Sequence, residues 1–185
     1  MKRDGPYHHG DLRNALIDAA AAIVEVRGLE ELSLRGAARR AGVSQTAPYR
    51  HFADKEALIA AVAADGFLML ADDLRTAVTS GDLILVGKSY FRFAQDHPGR
   101  FQLMFGRDIT DRQSHAELSE AEEELRSVLA RLLGPDQVDA LLSAFHGVTA
   151  LSVAGLVSIK PDDLDGEAKL DQILEAVLGN LSKSG

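Results

Sequence analysis

The chain has 185 residues, no cysteine, 46% hydrophobic residues and a formal net charge of −8. These values exclude a disulfide framework, every Cys-based metal site and a uniformly basic nucleic-acid coat. Charge is unevenly spread: residues 1–55 hold nine Lys or Arg against seven Asp or Glu, and residues 56–185 hold eleven against twenty-one. In chain order, Met1-Lys2-Arg3 is followed by Asp4 to Gly10 with no apolar run, so no signal peptide is expected and a cytoplasmic location is. Residues 1–10, with His8, His9 and Gly10, read as a flexible arm; an unstructured terminus and an arm reaching a minor groove both fit.

The most informative stretch runs from Ser33 to Lys55. Ser33 is placed to cap a helix whose apolar side is Leu34, Ala37, Ala38 and Ala41, with Arg35, Arg39 and Arg40 projecting from the other side. Gly42 follows the last periodic residue, where a left-handed backbone commonly ends a helix. Val43 plugs the space between two helices, and the Ser44 hydroxyl is expected to cap the second, over about Gln45 to His51. Such an element is about 10 Å long and fits a major groove about 12 Å wide. Gln45, Thr46 and Ala47 suit base edges, whereas Tyr49, Arg50 and His51 suit the flanking backbone. Asp54 caps a further helix and puts Lys55 in its first turn, where a phosphate is favoured. Paired short helices also occur in all-helical proteins that never touch nucleic acid, but three caps and three clustered arginines favour a helix-turn-helix DNA reader.

Gly42-Val43-Ser44, Tyr49-Arg50-His51-Phe52 and Asp54-Lys55-Glu56-Ala57-Leu58 resemble the DNA-binding domain of the TetR family of regulators. The resemblance covers about the first third of the chain. It implies that Ser44, Thr46, Tyr49, His51 and Lys55 face DNA. One departure is Pro48, where the family more often carries Leu. Proline near a first turn forfeits little, because most of its missing amide bond was never available, so a tightly wound helix is expected.

Beyond Lys55 the chain reads as helix, with breaks at Ser80-Gly81, His97-Pro98-Gly99, Gly106 to Thr110, Gly134-Pro135 and Lys160 to Gly166. The fold class is therefore all-α with about nine helices: a three-helix DNA-binding domain over 11–71, including the linking helix, and a helical regulatory and dimerisation bundle over 72–185. Ala140 to Ile159 contains no charged side chain, yet Ser143, His146, Thr149, Ser152 and Ser158 dilute its hydrophobicity, so a bundle interior is expected and not a membrane span. The last two helices, about Pro135 to Ser158 and Leu164 to Leu181, are apolar over more than one face and are expected to pair two copies.

Phe67, Phe91, Phe101, Met104, Phe105 and Phe145 form aromatic stripes that suit either plain core or the lining of an apolar cavity. The family resemblance implies a small, mostly apolar effector there. Phe145-His146-Gly147 is similar to a subgroup whose C-terminal domain bears Trp-His-Gly, with Phe here in place of Trp. His146 is the only ionisable side chain of its stretch, either a polar contact to ligand or a residue hydrogen-bonded between helices.

Catalysis has no constellation to carry it. Gly87-Lys88-Ser89 mimics part of a phosphate loop, but five residues separate Gly81 from Gly87 where the loop needs four, and they include Leu83-Ile84-Leu85-Val86. No Glu lies three residues before any His, and His-Glu-x-x-His is absent. No metal or cofactor is expected. The expected function is a regulator binding a palindromic operator as a homodimer, which the family resemblance implies to be a ligand-responsive repressor; the alternative is a helical ligand-binding or adaptor protein without operator recognition.

Overall fold

A computed structural model describes residues 9–159 and 164–179, without the side chains of 9–11 and 164. Eight α-helices lie in the described residues: α1 His9–Arg27, α2 Leu34–Arg40, α3 Lys55–Ser80, α4 Leu83–Asp96, α5 Pro98–Phe105, α6 Ala116–Leu133, α7 Val138–Val153 and α8 Leu164–Leu178. Short 3-10 turns occupy Leu29–Glu31, Ala47–Arg50, Arg112–Ser114 and Pro135–Gln137. The first four expected breaks each hold a gap between helices, with Gly81 and Gly134 at φ of 73° and 90°, the left-handed region open to glycine; of the fifth, 160–163 lie outside the described residues and 164–166 already belong to α8. His9 and Gly10 belong to α1 and not to an arm; the rest of that arm lies outside the described residues.

The helix expected over Gln45 to His51 is instead a turn followed by the four-residue 3-10 helix, which reduces nine helices to eight. A helix begun at Gln45 would need the Pro48 amide to donate to the Ser44 carbonyl; proline has none, and the Ala47 amide takes that carbonyl at 3.0 Å in a tighter turn. α7 is shorter than its apolar run, because the chain leaves it at Gly155, φ 72°, where the Leu156 amide donates to the Leu151 carbonyl at 2.9 Å. Among the described residues no helix is long and apolar enough to cross a membrane.

The chain forms two compact units. The first joins the described part of Met1–Gly66 to Gly99–Glu120. Its core includes Leu16, Ile17, Ala20 and Val24 of α1, Ala37 and Ala38 of α2, and Leu58 and Val62 of α3, all buried, and α1 packs on α2. The 99–120 segment belongs here by contact: Arg100 bonds Asp65 at 2.8 Å and also Asp18, Arg13 pairs with Glu117, and Glu56 accepts from the Thr110 amide at 2.9 Å. That amide bond is the main cause holding the Glu56 carboxyl below its usual range. A side chain at Gly99 would collide with the Ala21 carbonyl, and one at Gly66 would meet the Met104 sulfur at 2.6 Å, so both glycines permit close helix approach.

The second unit joins Phe67–Pro98 to the described part of Ala121–Gly185. Within it α4, α7 and α8 pack pairwise. They meet at Gly87, where a Cβ would lie 2.9 Å from both Phe145 and Leu174. The glycine that mimicked a phosphate loop is thus a helix-crossing point. Apolar faces of its helices point inside: Val86, Tyr90 and Phe93 of α4, Leu125 and Leu129 of α6, and Leu170, Leu174 and Leu178 of α8 are buried.

Candidate nucleic-acid interface

Ser33 caps α2 as expected, its hydroxyl accepting from the Gly36 amide at 3.0 Å. α2 ends with the Gly42 amide donating to the Arg39 carbonyl at 3.3 Å and the Val43 amide to the Ala38 carbonyl at 3.0 Å, a Schellman closure requiring Gly42 at φ 71°. Ser44 does not cap the following element. Its hydroxyl lies 3.3 Å from that of Thr46, and the Ala47 amide it was expected to hold donates instead to the Ser44 main-chain oxygen at 3.0 Å. A tight turn satisfies that amide locally, so no capping hydroxyl is needed.

This turn sorts polar from apolar. Ser44, Gln45, Thr46, Tyr49 and Arg50 are exposed, Tyr49 by 52%, while Pro48 and Phe52 are buried beneath them. The His51 and Phe52 amides both donate to the Pro48 carbonyl at 2.9 Å, locking the turn on the residue that departs from the family pattern. Ala47 and His51 are half-buried, and Arg35 is exposed beside the Ser33 cap. Asp54 caps α3, accepting from the Ala57 amide at 2.8 Å. Lys55 is half-buried and donates to the Leu29 carbonyl at 3.0 Å, a link that no local pattern announces because Leu29 lies in a separate turn. Arg13 carries no signal in the sequence either. Its guanidinium sits 5.6 Å from the Phe52 ring centre, on the residue that closes this turn.

The seven residues expected to line one pocket divide between the units. Phe101, Met104 and Phe105 are in the first, the two rings 5.0 Å apart and Met104 against Gly66. Phe67, Phe91, Phe145 and His146 are in the second. There the Tyr90 hydroxyl lies 3.2 Å from His146 Nδ1, and the Phe145 ring lies 5.9 Å from that of Tyr90. Burial holds the His146 imidazole below its ordinary pKa and pushes the Tyr90 phenol above its own.

A capped α2, a glycine closure and a polar turn exposed over a buried proline have the arrangement of a helix-turn-helix DNA-binding protein. Known proteins agree. Residues 16–62 match the family model described as bacterial regulatory proteins, tetR family, and residues 83–177 match that described as tetracyclin repressor-like, C-terminal domain. The chain belongs to the TetR family of transcriptional regulators, whose members are regulators and not enzymes.

A solved protein of unknown function from Rhodococcus sp. RHA1 is 31% identical, with 97% of this chain and 98% of that one covered at a TM-score of 0.73. A TetR-family transcriptional regulator from Streptomyces coelicolor is 23% identical over 94% and 99% of the two chains, TM-score 0.66. The multidrug binding protein EbrR, solved with imidazole, is 20% identical over 96% of each, TM-score 0.62. The last two likenesses are of fold.

Proposed function

We propose that this regulator is a cytoplasmic, ligand-responsive repressor that binds a palindromic operator as a homodimer through the helix-turn-helix at 33–52. The observation that carries the reading is the sorting at the turn: Ser44, Gln45, Thr46, Tyr49 and Arg50 outward, Pro48 and Phe52 inward. Gln45, Thr46 and Ala47 approach base edges; Ser33, Arg35, Ser44, Tyr49, Arg50, His51 and Lys55 hold phosphates. Lys55 keeps two of its three ammonium protons for that purpose after its bond to Leu29. Operator contact is assigned to 11–71, and effector response and dimerisation to 72–185.

Dimerisation through α7 and α8 is supported by the apolar surface left exposed on them and just past the end of α7: Leu151, Val153 and Val177, and Leu156, 75% accessible. A Cβ at Gly147 would meet nothing within 4 Å, so that part of α7 lies open to a partner's backbone. A small, mostly apolar effector is supported by the second unit's buried rings, Phe67, Phe91 and Phe145, the last of them against the Tyr90 of the polar Tyr90–His146 pair. Effector binding then changes the spacing of the two reading heads. Gel retardation of DNA from around the coding region, repeated over a range of salt, tests the core claim: a retarded species weakening steeply with salt supports it, and no retardation at low salt refutes it.

A further inference from the structure

We infer that the groove between the end of α1 and α2, carrying Arg27, Arg39 and Arg40, grips the phosphate backbone of operator DNA outside the base pairs reached by the reading turn. The inference rests on the operator-binding reading and adds a second contact site to it. The three arginines line one concavity of about 280 Å³, floored by Ile23. All three are exposed, and none makes an ion pair among the described residues. Glu31 stands in the same groove and pairs with none of them.

Other arginines, Arg35, Arg50 and Arg92 among them, are also exposed without an ion pair among the described residues, so what marks this groove is that three share one concavity. Arg75, Arg100 and Arg126 each find a carboxylate within 3 Å, and Arg13 is paired with Glu117. Three like charges in one concavity repel one another, and an anion seated among them relieves the repulsion. Guanidinium groups hold phosphate oxygens by two parallel hydrogen bonds, which surface lysines do not.

Placement favours DNA over an acidic protein. Gly36 lines the groove, and its position lies 3.0 Å from the Ser33 hydroxyl when a Cβ is built there, so the groove begins at the cap of the reading motif's first helix. Arg35 and Arg39 lie one turn apart on α2, which carries the positive stripe from the cap into the groove. Val26, 70% exposed, adds an apolar rim of the kind a deoxyribose packs against.

The test measures duplex affinity against salt for the whole protein, with an operator fragment bearing long flanks and a second trimmed to the palindrome. Arg27→Gln, Arg39→Gln and Arg40→Gln together are expected to lower the salt slope by roughly 0.9 for each phosphate no longer neutralised. They should weaken long operator and random duplex by the same factor and leave the trimmed operator nearly unaffected. Lysine at all three positions should restore much of the slope, and Glu31→Gln should tighten binding to the long fragment. An unchanged slope on the long fragment, with the wild-type protein bound, overturns the inference alone and leaves the groove to a protein partner. A wild-type protein that binds no duplex overturns the operator reading beneath it. Arg92→Gln, an exposed arginine of the second unit, serves as the control and is expected to change nothing.

Discussion

Helices α2 and α7 end in the same way, on a glycine near φ 71° or 72° that closes the last carbonyls, yet the side chains displayed around the two closures differ in kind. After Gly42 the exposed side chains are Ser44, Gln45, Thr46, Tyr49 and Arg50; around Gly155 they are Leu151, Val153 and Leu156. One closure displays hydrogen-bonding groups and charge, the other displays hydrocarbon. An identical backbone device therefore says nothing about function by itself. The chemistry left in water does: polar, rigidly held groups suit a hydrated, charged groove, and apolar groups suit a dry interface.

The largest expected effect separates core from display. Phe145→Ala removes a ring buried against Tyr90 and facing Gly87, and should cost about 3–5 kcal/mol in denaturant unfolding. A cost under about 1 kcal/mol would show that α4, α7 and α8 do not share this core. On the display side, Thr46→Ala and Tyr49→Ala should each weaken operator binding by about 1–3 kcal/mol while the melting temperature stays put, because neither side chain is buried. A fall in stability in step with affinity would erase the contrast. Between the two lies Gly42→Ala, which forces a Cβ into left-handed backbone at a cost of about 1–2 kcal/mol and should disturb operator binding as well, since α2 and the reading turn share that closure.

Smaller effects depend on pH and surface charge. Burial keeps both members of the Tyr90–His146 pair neutral, lowering the imidazole and raising the phenol. Protonation of the unfolded chain then draws the equilibrium toward unfolding as pH falls below about 6.5, and phenol ionisation does so as pH rises above about 10. His146→Gln should flatten the acid limb of a stability–pH curve and Tyr90→Phe the alkaline limb. The smallest change belongs to Arg126→Gln, whose 2.7 Å pair with Asp139 is largely solvated and should contribute less than about 1 kcal/mol. Thermal unfolding at low and high salt measures it.

Local chemistry by itself determined the helical class, the Ser33 and Asp54 caps, the Gly42 closure and nearly every break between helices. Each arises from hydrogen bonds and backbone preferences spanning a few residues, which short-range sequence specifies. Only the tertiary structure decided that Lys55 reaches the Leu29 carbonyl, that Arg13 backs the turn across the Phe52 ring, and that 99–120 packs with the first unit. It also placed Phe101 and Phe145, expected to line one cavity, in separate units. Those outcomes hinge on partners up to about a hundred positions apart, as with Arg13 and Glu117, and no periodicity or spacing rule encodes which distant groups packing will bring together.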